Sequence, residues 1–193
     1  MKKRIAIFAS GSGTNTQNII QHFKSSSIGE VVLVLSNKRH AKVLERAENE
    51  DIKSLYFHKE DLYDRDGVLK ILKEARIDLI VLAGFLIMFP KHILKEFPNK
   101  VINIHPALLP KYGGKGMYGK YVHEAIVANK EKESGITIHY VNEAYDEGAI
   151  IFQAATGITE EDTPNSVAEK VHALEYEHFP IVIETLLTSE DDG

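Results

Sequence analysis

The stretch Asn103-Ile104-His105-Pro106-Ala107-Leu108-Leu109-Pro110 follows an apolar segment and ends in prolines. If residues 101–104 form a strand, alternating side chains place Asn103 and His105 on the same face. Pro106 has no N–H to donate, so the strand cannot continue its ladder there. Because ligands of open α/β sheets bind beyond the carboxyl ends of the strands, this amide and imidazole indicate a functional site. The alternative is a buried Asn and His that only cap a strand.

The sequence before this stretch alternates apolar runs with helical patterns. The continuously apolar run Asp78–Ala83 is typical of a parallel strand that is covered on both faces. The expected strands are Arg4–Ala9, Glu30–Leu35, Lys53–Phe57, Asp78–Ala83 and Val101–Ile104. The expected helices follow the first strand as far as Lys24, cover residues 41–50, and extend from Asp61 to Ala75, where Gly67 weakens the pattern.

The pattern changes in the last third of the chain. Gly135–Val141 and Ala149–Ala154 predict an antiparallel strand pair, and Thr163-Pro164 opens a long helix that Pro180 is expected to kink or divide. The acidic tail from Ser189 to Gly193 is expected to fray. Together these elements predict an α/β fold: a doubly wound, mostly parallel sheet with an antiparallel strand pair at one end and helices on both faces.

Composition narrows the class of protein. A chain of 193 residues fits one domain. The absence of cysteine excludes disulfides, thiolate metal sites and a cysteine nucleophile. No apolar run reaches the roughly 18–20 residues of a membrane span, and Ile5–Ala9 is too short for a signal peptide. We therefore expect a cytoplasmic protein with no membrane partner, and the formal charge of −5 argues against a nucleic-acid partner.

The loop Ser10-Gly-Ser-Gly-Thr-Asn15 lies between the first strand and the first helix, where helix amides favour an anion. Its glycines let the backbone approach a phosphate, and Thr14 and Asn15 add donors. A dinucleotide fingerprint would need glycine where Thr16 stands, and the Walker spacing is absent. The loop therefore indicates a phosphorylated substrate rather than a nucleotide cofactor. A tight turn before a capped helix is the alternative.

Four motifs together resemble the phosphoribosylglycinamide formyltransferase family. They are Ser10-Gly-Ser-Gly-Thr-Asn15, Val81-Leu-Ala-Gly-Phe85, the Asn103–Pro110 stretch and Asp146-Glu-Gly148, and the resemblance runs in order from about residue 4 to residue 187. It implies an enzyme of de novo purine biosynthesis. The enzyme would transfer a formyl group from 10-formyltetrahydrofolate to the amine of 5-phosphoribosylglycinamide, without a metal.

The resemblance also implies the site residues. It assigns the substrate phosphate to Gly13, Thr14 and Asn15. The catalytic group would be Asn103, His105 and Asp146. The folate would contact Leu86, Ile87, Met88, Phe89 and Asn103. One formyltransferase domain would cover residues 1–193, with a phosphate-binding half of about 1–100 and a folate-binding and catalytic half of about 101–188.

Three departures from the family stand out. Ile87 occupies a position where the family often has arginine, which removes one charged folate contact. Lys59 is expected to replace a basic folate-facing residue nearby. The segment Lys111–Gly119 holds four glycines in nine residues, which predicts a mobile lid at the mouth of the site.

The chemistry of formyl transfer assigns a role to each member of the group. The Asn103 amide can donate to the oxygen that becomes negative, and a protonated His105 can donate or transfer a proton. Asp146 can take a proton from the attacking amine, and a carboxylate close to His105 is expected to raise the pKa of the imidazole. An ordinary turn aspartate is the alternative for Asp146.

Glu175 lies at the edge of an apolar stripe on the last helix, where an unpaired charge is costly. The resemblance supplies a partner in the substrate's amine or hydroxyls, and a structural salt bridge is the alternative. The other eight histidines share no metal-ligand spacing, and we expect them on the surface or satisfied in the core. They are His22, His40, His58, His92, His123, His139, His172 and His178.

Three other functions compete with this assignment. A transferase acting on methionyl-tRNA shares the folate chemistry but carries a further C-terminal domain. A formyltetrahydrofolate hydrolase normally carries an N-terminal regulatory domain, for which the first strand at Arg4 leaves no room. A silent phosphometabolite-binding module would not need Asn103, His105 and Asp146 together.

Overall fold

The computed structural model describes residues 1–189 and places seven strands in one sheet, in the order β3-β2-β1-β4-β5-β6-β7. The first five strands are parallel, and β6 and β7 pair antiparallel at one edge. The strands are β1 (Lys3–Phe8), β2 (Gly29–Ser36), β3 (Lys53–Tyr56), β4 (Leu79–Leu82), β5 (Val101–His105), β6 (Glu133–Tyr140) and β7 (Ile150–Gly157). The expected doubly wound sheet with an antiparallel pair at one end is confirmed.

Over residues 1–189, seven helices cover the two faces of the sheet. They are α1 (Thr14–Lys24), α2 (Lys42–Glu48), α3 (Lys59–Tyr63), α4 (Val68–Glu74), α5 (Lys91–Glu96), α6 (Lys120–Ala128) and α7 (Pro164–Ser189). No helix in the described range is long and apolar enough to cross a membrane.

The central strand β1 shows how the two faces are filled. Ile5 and Ile7 are fully buried in the core beneath α1, α6 and α7, whereas Ala6 and Phe8 are fully buried in the core beneath α3, α4 and α5. This alternation follows from the period of two in a strand that both layers cover.

Strand order reverses between β1 and β4, and the loops that follow these strands are tied together. The Ser10 N–H donates to the Gly84 carbonyl (3.0 Å), and the Leu86 N–H donates to the Ser10 hydroxyl (3.1 Å). A crevice at such a point is the usual ligand site of a doubly wound sheet. The ends of β1, β4 and β5 therefore meet at one place.

Helix α7 differs from the expectation, because it continues through Pro180 instead of being divided there. Proline cannot donate to the carbonyl of Tyr176, one turn earlier. The Asn18 side chain on α1 donates to that carbonyl instead (2.8 Å). The expected start is confirmed, since Thr163 and Ser166 exchange hydrogen bonds just before and inside the first turn. Of the tail predicted to fray, residues 190–193 lie outside the described residues.

The prediction of a single helix over residues 61–75 is wrong, because the structure has two helices there, separated by Asp64–Gly67. A Cβ atom at Gly67 would overlap the carbonyl oxygen of Asp61, so the chain can fold back there only with glycine. Two short helices, α5 and α6, were not expected at all.

Candidate active site

A cavity of about 580 Å³ opens where β1, β4 and β5 end. This volume is in the range of small-molecule sites. Four segments at or after the strand ends line the cavity: Gly11–Asn15, Ala83–Leu86, Asn103–Pro106 and Gly114–Gly119. Side chains from later parts of the chain complete it: His123, Tyr145, Asp146, His172 and Glu175.

The loop after β1 forms one end of the cavity. Gly13 adopts the left-handed conformation (φ 74°), and a Cβ atom there would overlap Val43 of α2. Thr14 and Asn15 start α1, an 11-residue helix whose first turn carries no acidic residue. Unpaired amides and the positive end of the helix dipole make this end of the cavity suitable for an anion.

Asn103 and His105 both line the cavity, as the alternation in β5 predicts. The register of β5 and β6 places His139 directly opposite Asn103. His139 donates from Nδ1 to the Tyr140 carbonyl (2.9 Å), so in the neutral ring Nε2 accepts from the Asn103 amide (3.1 Å). One Asn103 N–H is therefore held, and the second is available to the cavity.

His105 is 3 % exposed and is held by the segment that follows β5. Its Nε2 donates to the Tyr112 carbonyl (2.7 Å), so in the neutral ring Nδ1 carries the lone pair. Nδ1 lies 3.6 Å from Oδ2 of Asp146. The ring therefore presents a proton acceptor to the carboxylate.

Burial is the main cause that lowers the pKa of His105, and it outweighs the opposite effect of the Asp146 carboxylate. Asp146 does raise the pKa of this imidazole, as expected, but burial, which the sequence did not reveal, lowers it more and sets the net direction. Because the histidine is almost enclosed, the cost of charging the ring exceeds the attraction of one carboxylate. At neutral pH the resting ring is mostly uncharged.

Asp146 lies in the turn between β6 and β7 and adopts a left-handed backbone conformation (φ 56°). Burial raises the pKa of its carboxyl, but nearby His139 and His105 and the Gly114 N–H outweigh burial and hold the pKa below its ordinary value. The Gly114 N–H donates to Oδ2 (2.9 Å), and His139 lies 3.6 Å from Oδ1. The group is therefore an ionised acceptor.

Glu175 projects from α7 into the same cavity and is 4 % exposed. It accepts a hydrogen bond from Asn15 Nδ2 (2.9 Å), and its other close partner is His172 Nδ1 (2.8 Å). The hydrogen bond to Glu175 is the main cause that raises the pKa of His172. The salt bridge named as the alternative is therefore present within α7, between His172 and Glu175, while the hydrogen bond from Asn15 joins Glu175 to the phosphate loop.

The residues predicted to contact folate are divided between two places. Leu86 lines the main cavity, while Met88 and Phe89 line a neighbouring groove of about 490 Å³. Ile87 packs against the core, and Lys59 is exposed at the start of α3, outside the linings of both.

Three histidines near the site were not singled out from the sequence. His139 touches two predicted catalytic residues, His172 pairs with Glu175, and His123 lines the cavity with its buried Nδ1 unpaired among the described residues. The period-two spacing places His139 and Thr137 on one face, but only the β5–β6 register identifies which residue it meets. Over residues 1–189, no group of three or more His, Asp or Glu side chains is arranged to hold a metal ion.

Comparison with known proteins gives a consistent result. A family model described as formyl transferase matches residues 3–183. The phosphoribosylglycinamide formyltransferase of Bacillus subtilis is 34% identical over 196 residues, which cover 99% of this chain and 98% of that protein. The trifunctional purine biosynthetic protein adenosine-3 of Drosophila melanogaster is 39% identical over 96% of this chain, which spans 14% of that protein.

A solved structure agrees with these relatives. The crystal structure of phosphoribosylglycinamide formyltransferase from Bacillus halodurans has a TM-score of 0.86 and 37% identity, covering 96% of this chain and 95% of that chain. The chain therefore belongs to the formyl transferase family and, within it, to the phosphoribosylglycinamide formyltransferases.

Proposed function

We propose that this cavity transfers the formyl group of 10-formyltetrahydrofolate to the amine of 5-phosphoribosylglycinamide, in de novo purine biosynthesis. The observation that carries the proposal is the close placement of Asn103, His105 and Asp146 in the same cavity as a phosphate-type loop. Each part matches one need of the reaction: an anion site, an oxyanion donor and a route for a proton.

The acceptor would enter with its phosphate on the loop of Gly13, Thr14 and Asn15. Glu175 lines the same cavity as the catalytic group and is bonded to Asn15, so it can accept from the hydroxyls or the amine of the acceptor. This placement leaves the reactive amine between Glu175 and Asp146.

The formyl donor would lie with its reactive end near Asn103 and its length along Leu86 towards the neighbouring groove. Met88 and Phe89 supply apolar surface in that groove. Arg65 and Lys95 line it with positive charge, while Lys91 there is paired with Glu143. A folate ends in carboxylates, so these cations can make the charged contact that the family often makes with an arginine where Ile87 stands here. Lys59 stays a predicted contact of the folate.

The reaction begins when the neutral amine attacks the formyl carbon, which forms a C–N bond and turns the carbonyl oxygen into an oxyanion. The free N–H of Asn103 donates to that oxygen. A single well-placed donor of this kind contributes about 10²–10³ in rate.

The ionised Asp146 then takes a proton from the attacking nitrogen. His105 receives that proton at Nδ1 and delivers it to the leaving nitrogen of the folate as the C–N bond to the donor breaks. Both groups start in the required states, since the pKa of Asp146 and that of His105 are each lowered. Positioned proton transfer contributes about 10²–10⁴ in rate.

We further propose that residues 1–193 act as one formyltransferase domain, with phosphate recognition in about the first 100 residues and catalysis in about 101–188. The continuous sheet supports a single domain. The protein acts on small molecules, and its net charge of −5 supports a function without nucleic acid. A cytoplasmic location and the absence of a membrane partner remain predictions from the sequence.

The test is tetrahydrofolate formation from 10-formyltetrahydrofolate, followed by absorbance with and without 5-phosphoribosylglycinamide. Turnover that requires the acceptor is the expected result. Turnover without acceptor would instead identify a hydrolase. Folate binding without turnover in either case would contradict the proposal and favour a silent binding module or a different acceptor.

A further inference from the structure

Two carbonyl groups of the phosphate loop are held by neighbouring helices. The Gly11 carbonyl accepts from the Val43 N–H in the first turn of α2 (3.2 Å). The Gly13 carbonyl accepts from the Gln17 N–H of α1 (2.9 Å). These bonds fix the first and third of three successive peptide groups in the loop.

The peptide group between them is held by a side chain. Nε of Arg46, near the end of α2, donates to the Ser12 carbonyl (2.8 Å). Arg46 is half-buried and does not line the cavity. Its guanidinium therefore holds the loop from outside the cavity, while Ser12 itself lines the cavity.

The three carbonyl contacts determine where the amides point. In a trans peptide, the C=O of one residue and the N–H of the next point in opposite directions, and the cis bond of the described chain lies elsewhere, before Pro110. The N–H groups of Ser12, Gly13 and Thr14 therefore point away from the groups that hold their peptide carbonyls. No acceptor among residues 1–189 takes up the N–H of Ser12 or Gly13.

We propose that Arg46 is a positioning residue for the acceptor's phosphate: by holding the Ser12 carbonyl, it orients the Gly13 N–H towards the anion. The inference rests on the proposed function, since the anion is the phosphate of 5-phosphoribosylglycinamide. Gly13 has a left-handed backbone (φ 74°), and without this bond the Ser12–Gly13 peptide can rotate. Successive oriented amides of this kind form an anion-binding concavity.

The role differs from a general effect of positive charge. Lys42 begins α2 and is exposed, and its side chain makes no hydrogen bond or ion pair with any residue in the described part of the chain. Loss of either cation removes one positive charge from the same helix. Only the loss of Arg46 releases the Ser12 carbonyl. Variants of the two residues therefore distinguish the positioning of the loop peptide from the long-range attraction between a cation and the phosphate.

The experiment compares Arg46→Met, Arg46→Lys and Lys42→Met. Steady-state kinetics give kcat and the KM of each substrate, and direct titration gives the Kd of inorganic phosphate. Arg46→Met is expected to raise the acceptor KM and the phosphate Kd about tenfold, the loss expected for one charge-assisted hydrogen bond. Its kcat and donor KM should change less than about twofold. Arg46→Lys keeps a donor and should restore part of the loss, and Lys42→Met should match the parent.

Three results would overturn the inference. The first is an unchanged acceptor KM and phosphate Kd in Arg46→Met. The second is an equal loss in Lys42→Met that disappears at high salt, because charge alone would then explain it. The third is a parallel change in donor KM and melting temperature, which indicates a structural role. The phosphate titration needs no turnover, so failure of the proposed function leaves this test intact.

Discussion

His105, His139 and His172 carry the same side chain in three environments around one cavity. His105 is enclosed, and burial lowers its pKa, while a hydrogen bond to Glu175 raises the pKa of the half-exposed His172. His139 lies between Asn103 and Asp146 and fixes the direction of the amide. The local contacts of each ring, more than its residue type, therefore determine what it can do.

The raised pKa of His172 predicts a pH-dependent contribution to stability. The folded protein holds this proton more tightly than the unfolded chain, so the stabilisation is fully present below the ordinary pKa of 6.5. It is lost as pH rises through the folded value. His172→Gln keeps a donor to Glu175 but removes the titration, so its melting temperature should fall below that of the parent at pH 5.5 and match it at pH 8.5.

The size of this effect is limited by the exposure of His172, whose side chain is 47% accessible. A pair of this kind contributes less than about 1 kcal/mol, or at most about 4 °C in melting temperature. His178→Gln, on the same helix, controls for loss of an imidazole. A deficit in His172→Gln that is equal at both pH values would show that the ion pair does not titrate as described.

Sequence alternation identified the pair Asn103 and His105, because the period of a strand fixes which side chains share a face. It could not identify His139, because the partner of a residue in an antiparallel pair depends on register. Glu175 was found from its place on an amphipathic helix, yet its contact with Asn15 joins residues 160 positions apart. The net direction of the His105 pKa was missed, since burial depends on the whole fold.

Elements were predicted best where hydrophobic patterns are long. The apolar runs of β1, β2 and β4 were found within one or two residues of their ends. Residues 61–75 were predicted as one helix because their polar and apolar residues suit a helix apart from Gly67. The break at Asp64–Gly67 depends on a contact with Asp61. The short helices α5 and α6 were not predicted, although Val122 and Ile126 of α6 show the four-residue spacing of a buried helix face.

Gly67→Ala tests that reason for the break between α3 and α4. The new methyl group would overlap the Asp61 carbonyl, so we expect a loss of about 1–3 kcal/mol in the free energy of unfolding. Urea denaturation measures it. Gly157→Ala is the matched control, since a Cβ atom there meets nothing within 4 Å. Equal stabilities of the two variants would contradict the steric explanation.

The segment 111–119 is the element expected to move. It contacts two of the predicted catalytic residues: the Tyr112 carbonyl accepts from His105, and the Gly114 N–H donates to Asp146. If the segment is a lid, amide exchange over residues 113–119 should slow when the acceptor and a non-reactive folate are bound together. Exchange that is equally slow with and without the two ligands would rule out the lid.

At the scale of the whole molecule, the site exists only when the chain is folded from end to end. Its lining begins at Gly11 and ends at Glu175, and the strand ends of the parallel sheet, the turn of the antiparallel pair and the last helix each contribute. The sheet could be anticipated from the order of its elements. The way α7 closes the cavity against the loop after β1 could not, because it depends on tertiary packing.

The most direct test of the account compares Asp146→Asn with Glu147→Gln, its exposed neighbour in the same turn. The amide of Asp146→Asn keeps the shape of the side chain and an oxygen for the Gly114 N–H, but it cannot take a proton. We expect kcat for formyl transfer to fall by about 10²–10⁴ with the acceptor KM little changed, and Glu147→Gln to match the parent. An Asp146→Asn variant that retains kcat within a factor of about three would contradict the proton route through Asp146 and His105.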